Sequence, residues 1–241
     1  MEIITSKDNS SVKAARKLLK KKYRTSSYLI EGFHLLEEAV KSGAEIRQIF
    51  VEESKFELIK DYKNVTIVTN QVLKSLADSE NPQGVIAEIG FGDISVKFDG
   101  EKYLILENVQ DPGNVGTMVR TADAAGFDGV LLVGETADIY SPKVLRSMQG
   151  SHFHLPIVKF DGTFDDIKNA GLELLVTTLS ENSVSHKNVK SDRFALVMGN
   201  EGSGVSDEAI ESADQLVHID MAGKAESLNV AVAAGILMFS L

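Results

Sequence analysis

YLILENVQDPGNVGTMVRTADAAG, residues Tyr103–Gly126, sets the fold class. The apolar run Tyr103–Glu107 reads as a strand, Pro112-Gly113 as a turn, and Val115–Ala125 has helical spacing. Asn114 stands where an N-cap belongs. Gly116, in the first turn, leaves room for a ligand or another backbone. Arg120 lies about a turn and a half into the helix, where its guanidinium can reach past the N-terminus toward an anion. The alternative is structural: Asn114 only caps, and Arg120 only pairs with Asp123 or Asp111. These residues alone leave both readings open.

Outward from this unit, strands read at Val130–Val133, Leu155–Val158, Leu174–Thr178, Phe194–Met198 and Gln215–Ile219. Helices read at Pro142–Gln149, Phe164–Ala170, Asp207–Ser212 and Leu228–Phe239. Strands alternating with helices predict an α/β fold with a mainly parallel sheet covered on both faces. In such sheets ligands bind beyond the carboxyl ends of the strands. Toward the N-terminus the pattern is a helical arm, Ser11–Lys22, a strand at Tyr28–Ile30, a helix at Gly32–Ser42, and strands at Gln48–Val51, Val65–Val68 and Gln83–Ile89. The stretch Phe91–Gly100 (FGDISVKFDG) is rich in glycine and acids. The expected division is a small α/β domain over 1–92, a linker over 93–101 and a larger domain over 102–241. The apolar C-terminal stretch is too short to span a bilayer and predicts a buried core helix. Met1–Ser10 lacks the apolar core of a signal peptide.

The 241 residues are 43 % hydrophobic and 25 % charged, ordinary for a soluble protein. There is no cysteine, which excludes disulfides, thiolate zinc sites and chemistry through a cysteine adduct, and fits a cytoplasmic protein. The net charge of −10 argues against bulk attraction to nucleic acid. That charge is unevenly spread, because residues 1–100 are neutral overall while eight Lys or Arg face two acids through Ile30. The basic arm reads either as a phosphate-contacting end or as a solvated helix face.

Two further segments carry chemistry. In Tyr140–Val158 (YSPKVLRSMQGSHFHLPIV), Ser141 and Pro142 open a helix, and Lys143 and Arg146, three apart, share a face that suits a phosphate. His152 and His154 have strand spacing and point to opposite faces, which argues against a metal pair. Leu196–Gly204 (LVMGNEGSG) offers exposed backbone amides after a strand, and Ser227 in Ile219–Gly235 (IDMAGKAESLNVAVAAG) reads as the cap of the last helix, with Asn229 in its first turn.

In this order the stretches DPGNVGTMVRTADAAG, SPKVLRSMQGSHFHLPI and LVMGNEGSGVS, continuing to IDMAGKAESLNVAVAAG, resemble the three motifs of the SpoU (TrmH-type) family of RNA ribose 2′-O-methyltransferases in the SPOUT superfamily. YLIEGFHLLEEAV and NPQGVIAEI resemble the substrate-binding domain often fused to it. The resemblance implies a trefoil-knotted C-terminal domain, S-adenosylmethionine bent within the knot, and a homodimer whose active site is completed across the interface. It places cofactor contacts at Gly199, Ile219 and Leu228, with Asn200, Gly202 and Met221 beside them. It assigns the catalytic arginine to Arg120, the motif asparagine to Asn114, the glutamate to Glu201 and the last polar pair to Ser227 and Asn229. Lys17, Lys20, Lys21, Lys22 and Arg24, with Lys143 and Arg146, would then hold RNA phosphates. No metal and no membrane is implied.

Two positions depart from the family pattern. Asp220 stands where a proline is usual, either attracting the sulfonium or sitting in solvent, and Gln149 stands where many members have a smaller residue. A guanidinium is an awkward base, so Arg120 is essential with its role open between base and phosphate clamp. Ribosomal RNA is the expected substrate and transfer RNA the alternative. The competing classes are a non-catalytic RNA-binding relative, a base methyltransferase, against which SLNV at Ser227–Val230 speaks, and a generic nucleotide-binding protein.

Overall fold

A computed structural model describes residues 3–93 and 95–241. The chain forms two compact units. One comprises the described residues of Met1–Asp93 and Asp138–Phe153, the other those of Ile94–Ala137 and His154–Leu241. Sequence order had assigned Asp138–Phe153 to the larger domain, whereas its packing partners lie in the smaller unit.

In the first unit, β1 (Ser27–Glu31), β2 (Ile46–Glu52), β3 (Val65–Val68) and β4 (Val85–Gly90) form a sheet ordered β1-β4-β2-β3. Only the β2–β3 pair is parallel. Helices α1 (Ser10–Lys17), α2 (Phe33–Lys41) and α3 (Asn70–Lys74) belong to this unit, and α3 was not foreseen. Val12 and Ala15 of α1 reach the core with Leu29, Phe50, Val72 and Ile86. The predicted helical arm is shorter than expected, because α1 stops at Lys17 and Lys21–Tyr23 makes a separate 3-10 turn.

In the second unit, β5 (Lys102–Glu107), β6 (Gly129–Val133), β7 (Ile157–Lys159), β8 (Glu173–Thr177), β9 (Val184–Ser185), β10 (Phe194–Met198) and β11 (Gln215–His218) form a sheet ordered β7-β6-β5-β10-β8-β11-β9. All its pairs are parallel, as the alternation predicted. Helices α4 (Pro112–Ala124), α6 (Phe164–Asn169), α7 (Asp207–Ser212) and α8 (Val230–Ser240) accompany it, while α5 (Pro142–Met148) packs on β1 of the first unit. Residues alternate along the strands: Tyr103, Ile105, Leu174, Val176, Ala195 and Val197 face α6 and α7, leaving Leu104, Leu106 and Leu196 buried on the other face. Helix α8 packs on α4. It is not the fully buried helix expected, since Val232, Ile236 and Phe239 are exposed, Phe239 at 67 %.

The stretch read as a linker is anchored at both ends. Phe91 stacks on Tyr28 at 5.5 Å in the first unit, and Phe98 packs edge-on to Tyr103 at 5.4 Å in the second. Arg193 holds the carbonyls of Phe98 and Gly100 at 2.6 and 3.1 Å. Strand β5 lies between β6 and β10: the chain runs outward from β5 through β6 to β7, then crosses to the other side for β8 and β10, so a crevice opens beyond the carboxyl ends of β5 and β10.

Candidate functional site

Both loops at this switch point are held by side-chain hydrogen bonds. After β10 the chain turns through Gly199–Gly204, closed where the Asn200 N–H donates to the Gly204 carbonyl (2.8 Å) and the Gly204 N–H to the Asn200 carbonyl (3.0 Å). The Asn200 side chain accepts the Gly202 and Ser203 amides and donates to the Asn108 carbonyl at 2.9 Å. Its amide is therefore occupied in holding the loop. A Cβ on Gly199 would lie 2.4 Å from the Gly204 carbonyl carbon and the Val205 nitrogen, so only glycine fits. Beside it the buried carboxylate of Glu107, which the sequence did not single out, accepts the Ser206 amide at 2.8 Å and its hydroxyl at 2.6 Å. That pair fixes the start of α7, which Ser206 caps.

The caps of α4 and α8 are not the residues expected. Asp111 caps α4 by accepting the Asn114 amide at 2.9 Å, and Asn229, not Ser227, caps α8 by accepting the amides of Ala231 and Val232. Because Asp111 takes the capping role, the Asn114 side chain is released for other bonds. It donates to Glu201 (3.1 Å) and accepts from the Asn229 amide (3.1 Å), so three residues distant in sequence form one network. Glu201 also accepts the backbone amides of Asp111 (3.0 Å) and Gln110 (3.2 Å). Burial acts to raise the Glu201 carboxyl, but the hydrogen bonds from Asn114 and the backbone outweigh it and hold it below the ordinary glutamate value.

These residues border a crevice of ≈ 770 Å³, a size suited to a small-molecule cofactor. Gly199, Asn200, Glu201, Gly202, Ile219, Met221, Ser227, Leu228 and Asn229 line it. So do Thr177, Thr178 and Leu179 at the end of β8, which the sequence passed over because no glycine motif marks that loop, and His218 at the end of β11. The backbone groups of Ile219, Met221 and Leu228 take part in no hydrogen bond among the described residues. Free amides and carbonyls around a glycine wall fit a nucleoside-bearing cofactor read through the main chain.

Asp220 neither faces this crevice nor sits free in solvent. Its carboxylate accepts the Ser185 hydroxyl at 2.7 Å and approaches Lys187 at 3.2 Å and His218 at 3.3 Å. Bonds from Ser185 and Lys187 hold it below the ordinary aspartate value, against a small opposing effect of burial. Arg120 stands outside the crevice, exposed on α4, its side chain without a hydrogen bond or ion pair among the described residues. The structural alternative for it fails, because Asp123 binds His154 at 2.8 Å and Asp111 caps. His152 and His154 lie at a 3-10 turn and just after it, not on a strand. No group of three or more His, Asp or Glu among the described residues is placed to hold a metal ion.

In the first unit Lys17, Lys20, Lys21 and Lys22 are exposed. Arg24 is not available to RNA: its side chain is 5 % exposed, pairs with Asp138 and donates to the Leu18 carbonyl at 3.2 Å. Arg146 pairs with Asp78 at 3.0 Å, while Lys143 is exposed on α5. Gln149 takes a left-handed conformation (φ 52°) and its carbonyl meets His34 at 3.0 Å.

The profile of the SpoU rRNA Methylase family matches residues 101–239, and that of an MRM3-like substrate binding domain matches residues 9–87. The 23S rRNA (guanosine(2553)-2'-O)-methyltransferase RlmP of Bacillus subtilis is 39 % identical over 248 residues, covering 100 % of this chain and 99 % of that protein. An AdoMet-bound rRNA methyltransferase from Sinorhizobium meliloti superposes with a TM-score of 0.86 at 34 % identity, over 99 % of this chain and 96 % of that one. A TrmH/SpoU tRNA modifying enzyme of A. aeolicus superposes with a TM-score of 0.52 at 35 % identity, over only 58 % of this chain and 73 % of its own.

Proposed function

This chain belongs to the SpoU rRNA methylase family, and on that premise we propose that it transfers a methyl group from S-adenosylmethionine to a ribose 2′-hydroxyl of ribosomal RNA. The observation that carries the proposal is the crevice itself. Unpaired backbone groups at Ile219, Met221 and Leu228 face a glycine loop, with the Asn114–Glu201–Asn229 network at its rim. Bound there, S-adenosylmethionine supplies an electrophilic methyl group on a sulfonium. Gly199 allows the close backbone approach, Asn200 and Gly202 hold the loop in shape at the cofactor's edge, and Leu228, Ile219 and Met221 present the polar groups that orient a nucleoside. In-line transfer is governed by positioning, which is the task of Asn114, Glu201, Ser227 and Asn229. Glu201, ionised and held by its donors, fixes the loop against the start of α4.

Arg120 is the catalytic arginine of this reading. It lies outside this chain's own crevice, which agrees with an active site completed by a second copy in a homodimer. The exposed row Val232, Ile236 and Phe239 on α8, which packs on α4, is the surface such a dimer would bury. Whether the guanidinium clamps phosphate or accepts the hydroxyl proton is separated by Arg120→Lys assayed across pH, since survival of activity at high pH sinks a clamp-only role. The family's trefoil knot belongs to the same reading. The first unit acts as the RNA substrate-binding domain, and Lys17, Lys20, Lys21, Lys22, Lys143 and Arg146 contribute cationic charge to it. The rRNA-modifying relatives match this unit as well, whereas the tRNA-modifying one spans little more than the catalytic unit, which favours ribosomal over transfer RNA. A ribosomal RNA substrate agrees with work in the cytoplasm.

Calorimetry with S-adenosylmethionine on wild type and Arg120→Ala, beside transfer of labelled methyl to ribosomal RNA, tests the proposal. Both proteins are expected to bind cofactor and only the wild type to make a product resistant to alkaline cleavage. No cofactor binding by either folded protein overturns the proposal in favour of a non-catalytic RNA-binding relative.

A further inference from the structure

We infer that Tyr23 is a nucleobase-stacking platform, and that the turn around it binds an unpaired nucleotide of the RNA; the inference rests on the RNA-methylating reading above. Three observations meet at this turn. Tyr23 is a large aromatic side chain left 41 % exposed. Two ammonium groups lie over its ring, Lys22 at 5.0 Å and Lys17 at 5.9 Å from the centroid. Among the described residues Lys17, Lys20, Lys21 and Lys22 take part in no ion pair, although the protein carries a net charge of −10. Uncompensated positive charge persisting in an acidic protein calls for an external anion.

The loss of Arg24 from the cation set strengthens the case. With its guanidinium bonded to the Leu18 and Leu19 carbonyls and to Asp138, Arg24 pins the turn from behind. The Arg24 amide closes the 3-10 turn on the Lys21 carbonyl at 3.0 Å. Tyr23 is therefore presented on a fixed backbone, with little conformational freedom to lose on binding. An aromatic face with flexible ammonium groups around it is the arrangement that takes a base by stacking and its phosphates by charge. A paired base has no face to offer, so the ligand chemistry is a single-stranded or bulged nucleotide, not duplex.

The test is fluorescence anisotropy of the full chain with a short labelled single-stranded RNA and with its duplex, over a range of salt. Tyr23→Ala is expected to weaken single-strand binding by about fivefold to a hundredfold, leaving the salt slope and the duplex affinity unchanged. Tyr23→Phe, which keeps the ring, is expected to bind as wild type. Lys17→Ala with Lys22→Ala is expected to lower the slope by about 1.4, at roughly 0.7 per phosphate contact on a single strand. Cofactor binding, measured on every variant, confirms that each is folded. Single-strand affinity unchanged in Tyr23→Ala overturns the inference, as does a Tyr23→Ala effect confined to the salt slope, which would leave the ring only a support for the lysines. Failure of the wild type itself to bind RNA while it binds cofactor overturns the RNA-methylating reading, and this inference with it.

Discussion

Gly199→Ala is the sharpest perturbation of the loop after β10. The added methyl would lie 2.4 Å from the Gly204 carbonyl carbon and the Val205 nitrogen and 2.5 Å from the Gly204 oxygen, all backbone atoms that no side-chain rotation can move. Relief requires the loop to open, which breaks the reciprocal Asn200–Gly204 bonds of 2.8 and 3.0 Å. Overpacking of this kind costs about 1–3 kcal/mol, and two backbone hydrogen bonds add about 1 kcal/mol each, so the loss is at least about 3 kcal/mol. At about 2–4 °C per kcal/mol for a chain of this size, the melting transition of the second unit should fall by roughly 6–12 °C. Gly202→Ala is the internal control, because the nearest atom to its added methyl is Asn200 Oδ1 at 3.6 Å, an ordinary contact. It should leave the transition within about 1 kcal/mol of wild type, on the stabilising side. The assay is scanning calorimetry without and with S-adenosylmethionine, the ligand shift marking which transition belongs to the second unit. Equal melting of the two variants would refute the reasoning, since it would mean that the closed loop contributes nothing to the fold.

Glu201 makes a pH prediction. Its carboxyl is held below the ordinary value of 4.5, so its contribution to stability is present above that value and lost as pH falls through the folded-state value. The difference in melting midpoint between wild type and Glu201→Gln should therefore shrink steadily below about pH 4.5, and a difference independent of pH would count against the assignment. Asp220→Ala releases the crevice strand from Ser185 and Lys187 and should weaken S-adenosylmethionine by about fivefold in calorimetry. Asp220→Asn, which can still accept the Ser185 hydroxyl, should lose less than Asp220→Ala; unchanged affinity in Asp220→Ala would discard the clasp. On the proposed homodimer, wild type should sediment as a dimer and Phe239→Asp as a monomer, with methyl transfer lost and the fold intact. A dimer that survives this change would exclude the α8 surface as the interface.

Local patterning was enough for the α/β class, the parallel sheet and two of the loops that line the crevice, those after β10 and β11. Those signals are local: apolar runs in β5, β6, β8, β10 and β11, glycines after β10, and helical spacing along α4. Local patterning is enough for them because a strand or helix announces its period within a few residues. What it could not decide were choices among chemically equivalent neighbours. Asp111 and Asn114 are both able to cap α4, as Ser227 and Asn229 are to cap α8. The outcome was set by long-range bonds from Asn114 to Glu201 and Asn229, partners 87 and 115 residues away. Arg24 reads as one more cation of the basic arm until Asp138, 114 residues on, buries it. Segment Asp138–Phe153 reads as part of the catalytic domain, yet Tyr140 packs on Tyr28 at 4.6 Å and α5 packs on β1. Helix α8, apolar on every side, reads as core, and one chain covers only the face turned to α4. Each of these outcomes depends on which surfaces meet across the chain, and that is decided by packing free energy summed over distant residues, which no local window contains.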